Sequence, residues 1–189
     1  MIPPLLSRWI QQRRYHAALP YISGAVLDVG CGHAYLAALL PPSHSYVGVD
    51  REPAFLRAAQ ARTPRAEFYQ VDLESGTIPP EVSTRRFDTI VMTAVLEHLA
   101  RPARALQQLV PLLAPGGRIV ATTPTPFGHR VHRIGARLGL FYREAADDHK
   151  SILDASTLGS LFHAAGLHVV AYKQFELGCN QLIVGSTQP

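Results

Sequence analysis

The sequence has few of the residues that mark several broad protein classes. Its 189 residues include only two cysteines, Cys31 and Cys179, too few for the disulfide framework of a small secreted domain. No run reaches the roughly 20 apolar residues of a transmembrane helix, and there is no internal repeat or low-complexity tract. The N-terminal stretch MIPPLLSRWIQQRRYHAAL lacks the apolar core and cleavage site of a signal peptide. We therefore expect a cytoplasmic globular protein.

Lysine is also scarce. The basic residues are 16 arginines and two lysines against 14 acidic residues, which gives a net charge of +4. This mild excess suits an anionic ligand or surface, and solubility alone would explain it equally well. Hydrophobic residues make up 47% of the chain, an ordinary globular composition. We expect residues 1–189 to form a single domain, with an N-terminal helix within residues 1–20.

The most informative stretch is AVLDVGCGHAYLAALL, residues 25–40. Its apolar start, interrupted by Asp28, predicts a buried parallel strand with one carboxylate near its C-terminal end. Gly30 and Gly32 predict a tight turn, and the apolar residues after them predict a helix that ends before Pro41. A strand, a glycine turn and a helix in this order form a nucleotide-type cofactor site.

The spacing excludes two common nucleotide-binding motifs. A dinucleotide fingerprint would need glycine where Tyr35 stands, and no Gly-Lys-Ser/Thr follows the turn as in a phosphate loop. With an acidic residue two positions before the first glycine and Ala34 as the third small residue, the stretch resembles motif I of the class I S-adenosylmethionine-dependent methyltransferases. The resemblance implies that Asp28 faces the α-ammonium group of the cofactor and that Gly30, Cys31 and Gly32 bind it.

Two further acidic residues follow at predicted strand ends. Asp50 ends the next apolar strand, 22 residues beyond Asp28, where its carboxylate can accept hydrogen bonds from both ribose hydroxyls. The family resemblance implies that Arg51 covers the adenine face and that Asp72, followed by Leu73, meets the adenine amino group. The alternative is that Asp72 only caps a turn.

The run FDTIVMTAVLEHL, residues 87–99, closely resembles the strand-four region of methyltransferases of the ubiquinone/menaquinone-biosynthesis type. This implies that Thr93 and Ala94 lie beside the cofactor. The turn APGG, the strand RIVATTP and the later stretch LDASTLGSLFHAAGL also match the family's pattern. The resemblance implies an α/β fold with a Rossmann-like seven-stranded mixed sheet, in which six strands are parallel, strand seven is antiparallel, and helices cover both faces.

A long basic segment, residues 125–151, separates the fifth predicted strand from the last helix. A segment of this length is usually functional, and we expect a mobile substrate loop with a helical portion over residues 131–140. Its charge fits a phosphorylated, carboxylated or lipid-linked acceptor, and peripheral contact with an acidic membrane is the alternative use. We assign four of its residues to substrate binding: His129, Arg130, Arg133 and Tyr142.

A hydroxyl acceptor would benefit from a general base. We select His149, in the sequence DDHKS, with His98 as the second choice. The family resemblance favours a structural role for His98, and a purely structural role for His149 is the alternative. The pair His129 and His132 lies on a basic segment, where solvation is commoner than zinc binding, so we expect no metal.

The sequence therefore predicts an S-adenosylmethionine-dependent methyltransferase that acts on a small or lipid-linked acceptor, with O-methylation favoured. Two other functions share the architecture: a catalytically silent S-adenosylmethionine-binding module, and an NAD-type oxidoreductase, which Asp28 and Tyr35 argue against. There is no interleaved aromatic and basic stripe to indicate nucleic acid. The predicted N-terminal helix, residues 5–19, either packs on the domain edge or covers the cofactor through Tyr15 or His16.

Overall fold

A computed structural model describes residues 5–137 and 151–188. Its centre is a seven-stranded sheet in the order β3-β2-β1-β4-β5-β7-β6. Strand β7 is antiparallel to both of its neighbours, and the other six strands are parallel, which confirms the predicted sheet. The strands are β1 (Ala25–Val29), β2 (Ser45–Asp50), β3 (Glu67–Gln70), β4 (Phe87–Thr93), β5 (Leu113–Pro124), β6 (His168–Phe175) and β7 (Asn180–Ser186).

Helices cover both faces of this sheet. Pro111 shortens the fourth helix, because proline cannot donate the next helical hydrogen bond; a 3-10 turn, Val110–Leu112, follows. The helices are α1 (Leu5–Ala18), α2 (Pro53–Arg62), α3 (Pro80–Ser83), α4 (Pro102–Leu109), α5 (Pro126–Arg137) and α6 (Ala155–Ala164).

The sheet separates two apolar layers, and this explains the nearly continuous hydrophobic sequence of its central strands. On one face, Leu27 of β1 belongs to a core that includes Leu106 of α4 and Phe162 of α6. On the other face, Val26 lies in a smaller core with Tyr15 of α1. Strand β1 is thus buried on both sides, as expected for a parallel strand in this class of fold.

The prediction of an α-helix after the glycine turn is wrong. The chain passes through turns from residue 32 to residue 36 and forms only a short 3-10 helix, Ala37–Leu39. Ala34 has a φ of 53°, in the left-handed region, where an L-residue cannot continue a right-handed helix. The site therefore has no helix N-terminus directed at the ligand from this segment.

The helical portion of the basic segment begins earlier than predicted, since α5 covers residues 126–137 and we expected a helix over residues 131–140. Pro126 begins α5, a position where its missing N–H costs no hydrogen bond. Thr125 accepts a hydrogen bond from the Gly128 N–H at 2.9 Å. A Cβ on Gly128 would lie 1.7 Å from the Cys179 carbonyl oxygen, so the helix packs directly on the β6–β7 turn. The predicted mobility of residues 138–150 concerns a segment outside the described residues.

The last helix has a side-chain cap at its start and a glycine at its end. The Asp154 carboxylate accepts a hydrogen bond from the Thr157 N–H at 2.8 Å and caps α6. Gly166 ends the helix with a φ of 83°, and Gly116 takes the left-handed conformation expected in the APGG turn. Within the described residues, no helix is long and apolar enough to cross a membrane.

Candidate active site

A cavity of about 270 Å³ opens at the C-terminal ends of β1, β2 and β3 and at the turn after β4. In open α/β sheets, ligands bind at this edge. Val49, Val71 and Leu73 give it an apolar wall, and Phe55 of α2 and Leu99 extend that wall. The polar lining includes Asp50, Asp72 and His98. A cavity with an apolar wall and a few hydrogen-bond acceptors at its border suits a nucleoside.

The Asp50 carboxylate lines this cavity and is fixed in place by backbone hydrogen bonds. Its side chain is only 7% exposed, and each carboxylate oxygen accepts one backbone hydrogen bond at 2.9 Å, from Gly32 and from Glu52. A carboxylate oxygen has capacity for about two hydrogen bonds, so each oxygen keeps room for a ligand hydroxyl. The geometry can thus accept the two hydroxyls of a ribose.

The glycine turn cannot cradle phosphates, because its N–H groups are already used. Gly30 and Cys31 both donate to the Val49 carbonyl oxygen, at 2.8 and 3.1 Å, and Gly32 donates to Asp50. Gly30 lies against the Val95 side chain, where a Cβ would approach to 2.6 Å. The glycines therefore fasten β1 to β2, and none of the N–H groups of residues 30–32 remains free for a pyrophosphate group.

Asp28 lies apart from the cavity lining. Its carboxyl group is 2% exposed and accepts a hydrogen bond from the Tyr46 hydroxyl at 2.6 Å. Burial raises the pKa of Asp28 to about 7, against the lowering effect of the Tyr46 hydrogen bond. Cys31 is buried beside it, and burial also raises the pKa of its thiol. The roles of Asp28 and Cys31 toward the cofactor stay predictions.

Asp72 both lines the cavity and caps a turn. It accepts a hydrogen bond from the Glu74 N–H at 2.9 Å, and its carbonyl oxygen accepts one from the Ser75 hydroxyl at 2.7 Å. The two sequence interpretations are thus compatible in the structure. Arg51 also lines the cavity and is exposed, with its Nε 3.7 Å from a Glu52 carboxylate oxygen.

The end of β4 has a distorted backbone at the cavity. Ala94 lines the cavity with a φ of 57°, which is uncommon for a residue with a Cβ. Its N–H donates to the Thr122 carbonyl oxygen of β5 at 2.9 Å, and this bond holds the conformation. Thr93 is not part of the lining, and its hydroxyl oxygen is buried with no hydrogen-bond partner among the described residues.

The predicted substrate residues are only partly brought together. His129 is buried at the start of α5, whereas Arg130 and Arg133 are exposed on its outer side. None of these three residues lines the cavity described above. Tyr142 and His149 lie outside the described residues. Among the described histidines, His98 is the one that lines the cavity.

Helix α1 packs on the domain edge through Tyr15, which is 5% exposed within the smaller core. Tyr15 and His16 border a separate recess beside Tyr35, and neither lines the candidate cofactor cavity. The arrangement favours edge packing over a lid. Arg14, on the same helix, donates from Nε to the Asn180 side-chain oxygen at 2.9 Å and so ties α1 to β7.

Sequence reasoning missed several residues of this site. Phe55 and Leu99 line the cavity. Each lies a few residues beyond the end of a strand, where no sequence motif indicates a ligand contact. Tyr46 was also missed as the hydrogen-bond partner of Asp28. The alternation of side chains along β2 could have indicated this contact. Tyr46 and Gly48 lie on the same side of the strand, and Gly48 pairs with Asp28.

The matching family model describes a methyltransferase domain and covers residues 7–172. A trans-aconitate 2-methyltransferase of Methylobacterium radiotolerans is 37% identical over 111 residues, which are 57% of this chain and 41% of that protein. A ubiquinone biosynthesis O-methyltransferase of Paracidovorax citrulli is 33% identical over 128 residues, 65% of this chain and 50% of that protein. The chain thus spans half or less of the length of these two relatives.

A solved structure extends the match to nearly the whole fold. The N-methyltransferase NodS of Bradyrhizobium japonicum, in complex with S-adenosylhomocysteine, superposes with a TM-score of 0.66. The superposition covers 96% of this chain and 87% of that protein at 20% identity, so it shows the fold alone. S-adenosylmethionine is a nucleoside cofactor without phosphates, which fits the Asp50 carboxylate and the occupied N–H groups of the turn. The chain belongs to the methyltransferase domain family, and within it to the class I S-adenosylmethionine-dependent methyltransferases.

Proposed function

We propose that this chain transfers a methyl group from S-adenosylmethionine to a small acceptor, with oxygen as the favoured accepting atom. The observation that carries the proposal is the hydrogen bonding of Asp50 and the glycine turn. Asp50 keeps acceptor capacity for a ribose, while the N–H groups of Gly30, Cys31 and Gly32 are all committed within the protein. This combination supports a nucleoside cofactor and argues against an NAD-type dinucleotide.

Most of the protein's contribution is positioning. The cofactor supplies an already activated methyl group. Asp50 would hold its ribose and Asp72 its adenine amino group, while the apolar wall at Val49 and Val71 excludes water from the ring. Aligning the accepting atom in this way can contribute as much as ~7–11 kcal/mol in the best-oriented reactions.

A hydroxyl acceptor also needs a base, and His98 supports that role by its position on the cavity lining. The cofactor would supply a methyl group on a sulfonium sulfur, which would keep the carbon–sulfur electron pair when the acceptor oxygen takes the methyl group. The hydroxyl proton would pass to the imidazole of His98. His149 remains the other candidate for this step.

The acceptor class is proposed from the outer surface of α5. Arg130 and Arg133 are exposed there, and the apolar side chains of Phe127 and Val131 are 54% and 38% exposed. An anionic acceptor with an apolar portion, such as a lipid-linked carboxylate or phosphate, would complement this surface. The same chemistry fits an acidic membrane, where the acceptor would be presented.

Vesicle co-sedimentation separates these uses. Protein that sediments with phosphatidylglycerol vesicles, but not with phosphatidylcholine vesicles, supports membrane presentation, and Phe127→Asp should abolish that binding. Val170→Asp is the matched control, because Val170 is 52% exposed on β6. If the protein binds neither vesicle type, α5 serves only a soluble acceptor.

Methyl transfer itself is tested with radiolabelled S-adenosylmethionine and a set of hydroxyl and carboxylate acceptors that includes trans-aconitate and catechol. We expect labelled product from at least one acceptor. His98→Gln should lower kcat by about 10²–10⁴ for a hydroxyl acceptor while S-adenosylhomocysteine binds normally. Normal binding of S-adenosylhomocysteine without transfer to any acceptor would support the catalytically silent module instead.

A further inference from the structure

A second recess lies at the opposite edge of the sheet from the cofactor cavity. It is bordered by the N-terminal ends of β1, β2, β3 and β4 and by the loops that lead into β2, β3 and β4. Its volume is about 620 Å³, whereas that of the cofactor cavity is about 270 Å³. Pockets for small molecules commonly have volumes of about 300–1,000 Å³. The recess is therefore large enough for a ligand, and the proposed methyl transfer does not use it.

Part of the recess lining is apolar. Val47 and Phe87 contribute to the lining and are buried, and the half-buried side chains of Leu40 and Tyr46 extend it toward the surface. An apolar lining of this kind can cover the hydrocarbon or aromatic part of a ligand. A bare inorganic ion would leave this part of the recess unused.

The three loops each bring a basic residue to the recess. His44 precedes β2, Arg65 precedes β3 and Arg86 precedes β4. These residues are far apart in the sequence, but the four strands are parallel, so their N-terminal ends meet at one edge of the sheet. The fold thus gathers positive charge from three separate segments around one apolar lining.

The acidic group in the recess is already neutralised. Among the described residues of the lining, Glu67 is the only acidic one, and Arg85 donates to both of its carboxylate oxygens, at 2.7 and 2.6 Å. Within the described part of the chain, Arg65 and Arg86 form no ion pair; Arg86 donates only to the Arg85 carbonyl oxygen, at 2.8 Å. Asp88 lies outside the lining and accepts a backbone N–H hydrogen bond at 2.7 Å. Two guanidinium groups therefore remain uncompensated at the recess.

We propose that this recess is a second ligand site, which binds a small organic phosphate. Arg65 and Arg86 would hold the phosphate group, and the apolar lining at Leu40 and Tyr46 would cover the organic part. A guanidinium group suits phosphate because its planar fork can donate two parallel hydrogen bonds. A phosphate monoester carries a charge of about −1.5 to −2 at neutral pH, which matches the two uncompensated positive charges. The site is independent of methyl transfer, since none of these residues lines the cofactor cavity.

Two-dimensional amide NMR of the full chain tests the site with phenyl phosphate and inorganic phosphate as probes. Saturating S-adenosylhomocysteine is present so that the cofactor cavity is occupied. Phenyl phosphate should shift the amide signals of His44, Arg65 and Arg86, and it should bind about tenfold more tightly than inorganic phosphate because its ring covers apolar surface. No saturable shift at millimolar phenyl phosphate, or shifts confined to α5 or to the cofactor cavity, would overturn the proposal. Equal affinity for the two probes would contradict the role of the apolar lining.

Arginine variants identify the groups that hold the phosphate. Arg65→Ala and Arg86→Ala should each weaken phenyl phosphate binding by about three- to tenfold, and the double variant by more, because each loses a charge-assisted interaction that salt partly screens. Arg57→Ala is the matched control, since Arg57 is exposed on α2 outside the recess. It should bind the probe as wild type does, and all variants should keep the wild-type affinity for S-adenosylhomocysteine. An equal loss in Arg57→Ala would mean that the probe responds only to net charge, and the proposed site would be wrong.

Discussion

Three buried or strand-end carboxyl groups of this protein differ in how fully the protein satisfies them. Asp50, at the end of β2, accepts two backbone hydrogen bonds. Asp28, within β1, accepts one from Tyr46. Glu97, after β4, has none among the described residues. Asp50 is thus held ready for a ligand by the backbone, whereas Asp28 and Glu97 are buried and do not line the cavity.

This difference follows the position of each group relative to the cavity. A cofactor has a fixed shape, so rigid acceptors held by the main chain can match it before it arrives. Asp28 and Glu97 lie outside the cavity lining, so a ligand in that cavity does not offset the unfavourable burial of their carboxyl groups. The cost is reduced stability of the free protein, as is common at functional sites.

The largest expected effect comes from replacing Asp28 by asparagine. The folded-state pKa of about 7 lies above the reference value of 3.8, so the folded state binds this proton more tightly. Stability from this group is therefore present below about pH 4 and is lost as the pH rises toward 7. At pH 8, Asp28→Asn should raise the free energy of unfolding by about 2–4 kcal/mol, with little gain at pH 4.

Urea unfolding at the two pH values measures this effect. Tyr46→Phe is the useful companion, because it removes the hydroxyl that donates to Asp28 and should lower stability most at high pH. A loss of stability in Asp28→Asn at pH 8 would show that the protein stabilises the ionised carboxylate. The proposed difference between Asp28 and Asp50 would then be wrong.

The second effect concerns Asp50. Replacing it by alanine should weaken S-adenosylhomocysteine binding by about 1.5–3 kcal/mol, the usual worth of hydrogen bonds to a charged group. Asp72→Ala should lose less, because Asp72 is exposed and partly occupied by its own turn. Titration calorimetry at fixed salt compares the three proteins, and unchanged affinity in Asp50→Ala would remove Asp50 from the site.

A smaller effect distinguishes the two glycines of the turn. Both have positive φ, 68° for Gly30 and 52° for Gly32, so alanine at either position should cost about 1–2 kcal/mol of stability. Gly30→Ala should cost more, because its Cβ would lie 2.6 Å from Val95, whereas the space around Gly32 is open to 4 Å. Thermal unfolding of the pair tests this order, and equal costs would show that Val95 moves aside freely.

The smallest effect belongs to the arginines of α5. Arg130 and Arg133 are exposed, so their attraction to an anionic acceptor is screened by salt. Arg130→Ala with Arg133→Ala should raise KM a few-fold at low salt and flatten its salt dependence, with kcat unchanged. Arg57→Ala, on the exposed side of α2, is the matched control. An unchanged KM in the double variant would show that this surface does not attract the acceptor.

Much of the fold and of the cofactor site could be predicted from the sequence, because periodicity and strand-end carboxylates are local signals. Asp50 and Asp72 follow directly from their positions after apolar strands. The α-helix predicted after the glycine turn failed because hydrophobic spacing does not report the left-handed backbone of Ala34. The predicted start of the helical portion at residue 131 was wrong because the contact that fixes the beginning of α5, Gly128 against Cys179, joins segments far apart in sequence. The unsatisfied state of Glu97 could not be predicted, since it depends on which side chains surround it in three dimensions.

The most direct test of the account is titration calorimetry of the wild-type protein with S-adenosylhomocysteine and, separately, with NAD. The hydrogen bonds of Asp50 and the committed N–H groups of the glycine turn predict binding of S-adenosylhomocysteine at a 1:1 ratio and no measurable heat with NAD. Binding of NAD, or no binding of S-adenosylhomocysteine, would contradict it.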